Sequence, residues 1–198
     1  MVWRREQGRD RFFRQAKAEG FRARSAYKLQ ELQEKYRLLK PGARVLDLGA
    51  APGSWSQFAA KIVGPRGRIV AVDLQPIAPI SGVRTFTGDM LLAETQDRMV
   101  AELGGPADVV LSDAAPSTSG IALTDHVRSI ELARAALSVA ERTLRPGGSF
   151  VVKVFRGPDF DEFLKSVRAH FSTVKVSIPE ATRKESREAY IIGLGYHP

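Results

Sequence analysis

The sequence predicts an α/β protein: a doubly wound, mostly parallel seven-stranded sheet covered by helices on both faces, with an antiparallel last strand. Apolar segments of strand length alternate with longer amphipathic segments along most of the 198 residues. A turn rich in small residues, 49–53, follows the first strand-like segment and leads into a helix-like one. Only residues 179–188 join the last two strand-like segments, which is too short for a helical crossover and indicates an antiparallel pair.

The predicted elements follow one another in a regular order. The first helix, over residues 25–38, has an apolar residue every three or four positions, and Ser25 is its predicted N-cap. Proline and glycine pairs end this helix and separate the later elements. Strands are predicted at 44–49, 68–73, 84–87, 108–112, 149–155, 173–178 and 189–195, and further helices at 54–62, 90–103, 126–144 and 159–170.

Composition limits the classes of protein that this chain can represent. Its length suits one domain with a sizeable core, and no apolar run approaches the roughly 20 residues that span a bilayer. The amino-terminal residues contain basic side chains but no apolar segment typical of a secretory signal. Because there are no cysteines, disulfides, thiolate zinc sites and cysteine nucleophiles are excluded. We expect a cytoplasmic protein.

Positive charge is concentrated near the amino terminus. Residues 1–40 carry 12 Lys and Arg against 5 Asp and Glu, whereas the remainder carries 18 against 17. This distribution indicates a polyanionic partner, with a solubilising tail as the alternative. We therefore divide the chain into a basic arm, 1–24, and a single catalytic domain, 25–198. The arm's basic residues expected to bind a polyanion are Arg4, Arg5, Arg9, Arg11, Arg14, Arg22 and Arg24.

Aromatic residues are interleaved with these charges. They could stack on nucleobases or could dock the arm onto the domain, and the sequence leaves both possibilities open. The aromatic residues concerned are Trp3, Phe12, Phe13, Phe21 and Tyr27.

The segment VLDLGAAPGSW, residues 45–55, is the most informative motif. Its glycines, Gly49 and Gly53, lack the spacing of a dinucleotide fingerprint, and no Lys-Ser or Lys-Thr pair follows, as a P-loop would need. The pattern Asp-x-Gly-x-x-Pro-Gly is typical of methyltransferases that bind S-adenosylmethionine. A simple glycine-rich turn is the alternative interpretation.

Three carboxylates are predicted at the carboxyl ends of strands, where ligands bind in open α/β sheets. Asp73, 24 residues after Gly49, could accept hydrogen bonds from both ribose hydroxyls of a nucleoside cofactor, and Asp89 could reach the adenine amine. Asp113 opens Asp-Ala-Ala-Pro rather than the Asn/Asp-Pro-Pro-aromatic motif of amine-directed DNA methyltransferases. This difference disfavours base N-methylation and favours a hydroxyl acceptor. Asp73 and Asp89 could instead be ordinary surface acids.

Lys153 is unusual because it lies between valines on a predicted central strand. Burial favours the neutral amine of a lysine, which can act as a base, although the side chain could instead reach solvent. Lys28 lies in the basic first helix, and Glu188 opens the last strand, where the hairpin would bring it toward the carboxyl edge of the sheet.

The motifs RSAYKL, DLGAAPGSWSQ, SDAAPSTSG, PGGSFVVKVF and TRKESREAY, in this order, resemble those of the FtsJ/RrmJ family of RNA ribose 2′-O-methyltransferases, in particular its RlmE-type ribosomal RNA members. The resemblance covers about residues 9 to 196 and implies a Rossmann-like S-adenosylmethionine methyltransferase fold. It implies the catalytic set Lys28, Asp113, Lys153 and Glu188. It implies cofactor contacts at Gly53, Trp55, Asp73, Asp89 and Asp113.

The chain departs from the family pattern at Ser117, often Asn, and at Ile178-Pro179, often Lys-Pro. These departures concern details of RNA contact rather than the reaction.

The resemblance implies 2′-O-methylation of large-subunit ribosomal RNA, 23S rRNA. We expect a monomer without an obligatory protein partner. A ribose hydroxyl must lose its proton as it attacks, and Lys153 is the best candidate for the base. Lys28 would disfavour a second positive charge nearby and Asp113 would favour it, and the sequence leaves the balance open. No metal is required. The alternatives are methylation of transfer RNA or of the messenger RNA cap, and a non-catalytic RNA-binding assembly factor.

Overall fold

A computed structural model of the chain describes residues 11–182 and 186–198. Within these residues a seven-stranded sheet has the order β3-β2-β1-β4-β5-β7-β6. The strands are β1 Arg44–Leu48, β2 Arg68–Asp73, β3 Val83–Thr87, β4 Ala107–Ser112, β5 Leu144–Phe155, β6 Phe171–Ser177 and β7 Glu188–Tyr196. The helices are α1 over 11–18, α2 Ala26–Tyr36, α3 Ser54–Val63, α4 Ala93–Leu103, α5 Ala122–Thr143 and α6 Phe160–Arg168.

The core has two halves, one on each face of the sheet, because successive strand residues point to opposite faces. On one face Val45, Ile69 and Val109 pack with the buried residues of α2 and α3. On the other face Leu46 and Val110 pack with the buried residues of α4, α5 and α6. The predicted doubly wound architecture is confirmed.

The strand order places a crevice between β1 and β4. From β1 the chain continues outward through β2 and β3, and from β4 it continues the other way through β5, all in parallel register. A reversal of this kind opens a ligand site beyond the carboxyl ends of the strands. β7 lies between β5 and β6 and pairs with both in antiparallel register, as the short linker predicts.

Some element boundaries differ from those predicted. α5 begins at Ala122 rather than 126 and ends before Leu144, whose extended backbone starts β5. Leu144 pairs with Ala107, and the register then shifts, so that the predicted turn at 146–148 lies inside β5 at an irregularity. Ser25 is the N-cap residue of α2, as predicted, but its hydroxyl makes no capping hydrogen bond and instead shares a 2.7 Å hydrogen bond with the hydroxyl of Ser54.

The described part of the arm packs on the domain. Ala16, Phe21 and Tyr27 are buried in one cluster, and the Phe12 ring lies 5.6 Å from that of Tyr27. Docking therefore accounts for these aromatic residues, whereas Phe13 is exposed. Trp3, Arg4, Arg5 and Arg9 lie outside the described residues. No helix in the described ranges is long and apolar enough to cross a membrane.

Candidate active site

A cavity of about 690 Å³ opens at the carboxyl edge of the sheet. Its walls come from the segments that follow β1, β2, β3 and β4, together with α5 and β5. Five of the residues predicted for the site line this cavity: Gly49, Asp73, Asp89, Asp113 and Lys153. The topology therefore brings to one place residues that are more than 100 positions apart in the sequence.

The turn after β1 requires glycine for packing reasons. Gly49 has φ 69°, and a Cβ atom there would lie 2.6 Å from Ala114, in the segment that follows β4. Gly53 has φ 106°, and its Cβ would lie 2.6 Å from the Ile80 side chain. Positive φ and close neighbours both exclude side chains, so the turn can fold tightly against two adjacent loops.

The carboxylates of the cavity are fixed by backbone hydrogen bonds. One oxygen of Asp73 accepts from the Ala51 N–H at 2.9 Å and the other from the Gln75 N–H at 2.8 Å. Asp89 accepts from the Leu91 N–H at 2.9 Å. Because a carboxylate oxygen accepts more than one hydrogen bond, both groups are oriented without being saturated.

Lys153 is 6% exposed and is held against Asp113 at the cavity wall. Its Nζ donates to the Asp113 backbone carbonyl at 2.6 Å and lies 3.1 Å from the carboxylate oxygen Oδ1. The strand register explains the contact, because Val152 pairs with Ser112, the residue before Asp113. The predicted burial of this lysine is confirmed.

Lys28 and Glu188 form a second ion pair, with 2.7 Å between Nζ and Oε2. Burial would raise the pKa of Glu188, but the Lys28 ammonium, and more weakly that of Lys153, hold it below its usual range. Glu188 is therefore a carboxylate at neutral pH. Among the described residues, the cavity lining does not include Lys28 or Glu188.

Comparison with known protein families identifies the family of this chain. Residues 21–196 match the family described as FtsJ-like methyltransferase. The chain belongs to the FtsJ-like methyltransferase family. It is therefore an S-adenosylmethionine-dependent methyltransferase, as the sequence motifs predict.

Two relatives of the same name illustrate the similarity. "Ribosomal RNA large subunit methyltransferase E" of Methanothrix thermoacetophila is 53% identical over 93% of this chain and 72% of its own length. The protein of that name from Methanothermobacter thermautotrophicus is 48% identical over 96% of this chain and 92% of its own length.

Solved structures share the fold. A ribosomal RNA methyltransferase structure from Plasmodium falciparum aligns with a TM-score of 0.77 at 26% identity, covering 89% of this chain and 98% of that one. Aeropyrum pernix fibrillarin with bound S-adenosylmethionine aligns with a TM-score of 0.58 at 20% identity, covering 79% and 68%, and supports the fold alone.

The cavity of this FtsJ-like protein fits S-adenosylmethionine in its donor and acceptor chemistry. Asp73 and Asp89 present oriented carboxylate acceptors at the cavity. Their bonds to ribose hydroxyls and to an adenine amine stay predictions. Val72, Leu74 and Met90 supply apolar surface between the two carboxylates. Within 11–182 and 186–198 no group of three or more His, Asp or Glu side chains is arranged to hold a metal ion.

Two of the predicted cofactor contacts lie outside the described lining. Gly53 ends the turn, and its N–H donates to the Ala50 carbonyl at 2.6 Å. Trp55 is 2% exposed, and its indole N–H donates to the Ser25 carbonyl at 2.9 Å. The Trp55 ring packs 5.8 Å from Tyr190, so any contact with a cofactor would have to use its backbone. Both contacts stay predictions.

Tyr190 connects the two ion pairs, and the sequence interpretation missed it. Its hydroxyl donates to Asp113 Oδ1 at 2.7 Å, and Lys28 Nζ lies 5.7 Å from its ring centre. Burial first, then the carboxylates of Asp113 and Glu188, raise the pKa of Tyr190 well above its usual value, so it remains a donor. The period of two along a strand could have revealed it, because Tyr190 follows Glu188 by two residues.

His126 is a satisfied core residue. Its Nδ1 lies 2.8 Å from the Phe155 carbonyl, and its Nε2 lies 3.0 Å from the Asp159 backbone nitrogen and 3.1 Å from Asp159 Oδ2. This placement agrees with a structural role.

Proposed function

We propose that the protein methylates a ribose 2′-hydroxyl of large-subunit ribosomal RNA, 23S rRNA, with Lys28, Asp113, Lys153 and Glu188 as its catalytic set. The observation that carries this proposal is the buried Lys153 amine at the wall of the cofactor cavity, held by Asp113 at 2.6 Å and 3.1 Å. A hydroxyl acceptor needs a base that can take one proton, and a lysine amine is suited to that task.

The chemistry divides between the cofactor and the chain. S-adenosylmethionine supplies, when bound, a methyl group activated by a positive sulfonium. That methyl group would pass to the 2′-oxygen and leave a neutral sulfur on the cofactor, and Lys153 would take the hydroxyl proton as the base. Asp113 holds the Lys153 amine at the cavity wall through its carbonyl and carboxylate. The chain thus orients the reactants and accepts the proton.

The second ion pair supports this arrangement. Tyr190 donates to the same Asp113 oxygen that faces Lys153, which fixes the carboxylate. Glu188 holds the Lys28 ammonium at 2.7 Å, close to the Tyr190 ring. In the proposal, Lys28 steers the 2′-oxygen and disfavours a second positive charge on Lys153, while Glu188 positions Lys28.

The names of the relatives and the charge distribution support the choice of RNA. The relatives from two archaea are both named large-subunit ribosomal RNA methyltransferases and match this chain almost end to end. Residues 1–40 carry 12 basic against 5 acidic side chains, a pattern that suits a phosphate backbone. We propose that the arm, 1–24, extends the RNA surface of a single domain, 25–198. We further propose that the protein acts in the cytoplasm as a monomer.

The test is to map ribose methylation across ribosomal RNA from a deletion strain and then to restore it with the purified protein. The labelled methyl group should appear in a nuclease-resistant dinucleotide of 23S rRNA, because 2′-O-methylation blocks hydrolysis of the next phosphodiester. Offering naked 23S rRNA and large subunits in parallel identifies the substrate particle. Transfer to a base, or to transfer RNA alone, would contradict the proposal.

A further inference from the structure

The guanidinium of Arg22 binds backbone carbonyls of the same chain. Nη1 donates to the Pro52 carbonyl at 2.9 Å and to the Ala78 carbonyl at 2.7 Å, and Nη2 donates to the Pro79 carbonyl at 2.8 Å. Sequence alone groups this residue with the phosphate-binding arginines of the arm. The structure instead gives it three acceptors from two loops that are 26 residues apart.

The backbone around Arg22 is fastened as well. Its N–H donates to Gln57 Oε1 at 2.9 Å, and Gln57 Nε2 donates to the Gly20 carbonyl at 3.1 Å. Gln57 belongs to α3, the helix that leaves the turn after β1. α3 therefore fixes the backbone of Arg22, and the Arg22 side chain in turn fixes the two loops.

Both loops held by Arg22 border the cofactor cavity. Pro52 lines the cavity, and Pro76 does so just before the 78–79 segment. Between the loops, a Cβ added to Gly53 would lie 2.6 Å from Ile80 and 3.0 Å from Arg22 Nη1, which shows how closely they pack. A shift of Arg22 would therefore displace the turn whose Ala51 N–H orients Asp73.

We propose that Arg22 is a positioning residue that fixes the two cofactor-binding loops to the amino-terminal arm, so that cofactor affinity depends on the arm. A planar guanidinium can hold three separated carbonyls at once, whereas a lysine ammonium is a point charge that cannot span them. By linkage, a ligand that orders the arm favours cofactor binding, and the cofactor favours binding on the arm by the same factor. The inference rests on the cofactor assigned above and not on the RNA target.

The experiment compares Arg22→Ala and Arg22→Lys with a matched control, Arg11→Ala, which removes an exposed arginine from the same arm. Titration calorimetry with S-adenosylhomocysteine should show an affinity about tenfold lower for Arg22→Ala, since charged hydrogen bonds are lost. Arg22→Lys should lose severalfold, and Arg11→Ala should match the wild type. Thermal unfolding without ligand confirms that each variant is folded at the titration temperature.

RNA binding supplies a second, independent measurement. Without the cofactor product, the salt dependence of RNA affinity should be unchanged in Arg22→Lys and flatter in Arg11→Ala. S-adenosylhomocysteine should raise the RNA affinity of the wild type, and should raise that of Arg22→Lys less.

Equal S-adenosylhomocysteine affinity in the wild type and both Arg22 variants would overturn the inference. A flatter salt dependence of RNA affinity in the Arg22 variants would overturn it as well. Absence of S-adenosylhomocysteine binding in the wild type would instead contradict the proposed function.

Discussion

Lys153 is surrounded by valines and by the acceptors of a single residue, Asp113. Both acceptors orient the amine at the cavity wall. A base at this position takes up the hydroxyl proton and must release it before the next turnover. The side chain must also be one that can exist without a proton near neutral pH.

This requirement predicts the behaviour of two variants. Lys153→Ala should lower the methyl-transfer rate by about 10²–10⁴-fold, the scale of a lost general base, while cofactor affinity stays nearly the same. Lys153→Arg should fail equally, since a guanidinium stays protonated. Single-turnover rates with saturating RNA measure both. Near-normal turnover by the arginine variant would rule out the base assignment.

Asp47 is a buried carboxyl group outside the proposed mechanism. It is completely buried on β1, and its Oδ2 accepts from the Ser56 hydroxyl at 2.5 Å. Burial, opposed by that hydrogen bond and assisted by the negative charges of Asp113 and Asp73, raises the pKa of Asp47 to about 7. The folded protein therefore keeps a proton on Asp47 under conditions in which the unfolded chain has lost it.

The pH dependence of stability follows from this raised pKa. Between the ordinary aspartate pKa of 3.8 and about 7 the folded state holds one more proton than the unfolded state, so the free energy of unfolding falls as pH rises. The slope from this group is at most about 1.4 kcal/mol per pH unit. Urea unfolding at pH 5, 6, 7 and 8 measures it, with Asp47→Asn as the control. An unchanged slope in Asp47→Asn would show that another group titrates.

At the scale of elements, β7 builds the face of the sheet that carries the proposed catalytic set. Lys153 pairs directly with Tyr190, so their side chains share one face of the sheet, and Glu188 lies two residues away on that same face. α2 supplies Lys28, and the segment that follows β4 supplies Asp113. Antiparallel insertion thus places the beginning of β7 at the edge where the parallel strands end.

The loop after β4 is held by the start of α5. Asp125 Oδ1 accepts from the Ser119 N–H at 2.7 Å and from its hydroxyl at 2.8 Å, and these bonds hold the pKa of Asp125 below its usual range. Arg128, on the next turn, donates to the Ser117 carbonyl at 3.5 Å. Both Ser117 and Arg128 line the cavity.

We therefore predict that Asp125→Ala raises the KM for RNA roughly three- to tenfold, the scale of a lost hydrogen bond, without changing cofactor affinity. The physical reason is that the loop would lose its fixed position beside the acceptor ribose. Asp161→Asn, at an exposed acid in the first turn of α6, serves as the control. A change in cofactor affinity as large as that in KM would contradict the placement of this loop beside the acceptor ribose.

Hydrophobic pattern and strand-end chemistry were enough to predict the sheet, its antiparallel ending and the carboxylates of the cavity. They could not show that Trp55 turns into the core, because its orientation depends on packing against Tyr190. They could not show how Arg22 is used, because its acceptors are backbone carbonyls that no side-chain pattern reveals. The start of β5 depends on pairing with Ala107, a contact between distant segments.

At the scale of the whole molecule, positive charge is concentrated near the amino terminus. The excess of basic residues falls in 1–40, and the rest is nearly neutral. An RNA surface of this kind binds by releasing counterions from phosphates, so its affinity depends steeply on salt.

The role of the arm in RNA binding is tested by one variant that replaces four arginines together: Arg4, Arg5, Arg9 and Arg11. Their replacement by alanine should reduce the logarithmic salt slope of RNA binding by about 0.7 to 0.9 for each phosphate that the variant no longer neutralises. Cofactor affinity should not change. Lys28→Ala is the contrasting variant, because its loss should lower the rate more than RNA affinity. An unchanged slope in the arginine variant would show that RNA binds elsewhere.

The position of β7 also determines when a newly made chain can become active. Within the described residues, β6 has β7 as its sheet neighbour and is synthesised before it, so β6 leaves the ribosome without a partner. Lys28 likewise lacks its ion-pair partner until Glu188, 160 residues later, has been synthesised. The cofactor crevice between β1 and β4 can form while translation continues, but the face that carries the proposed catalytic set needs β7. A growing chain that does not yet include β7 therefore lacks the Glu188 and Tyr190 contacts of the proposed site.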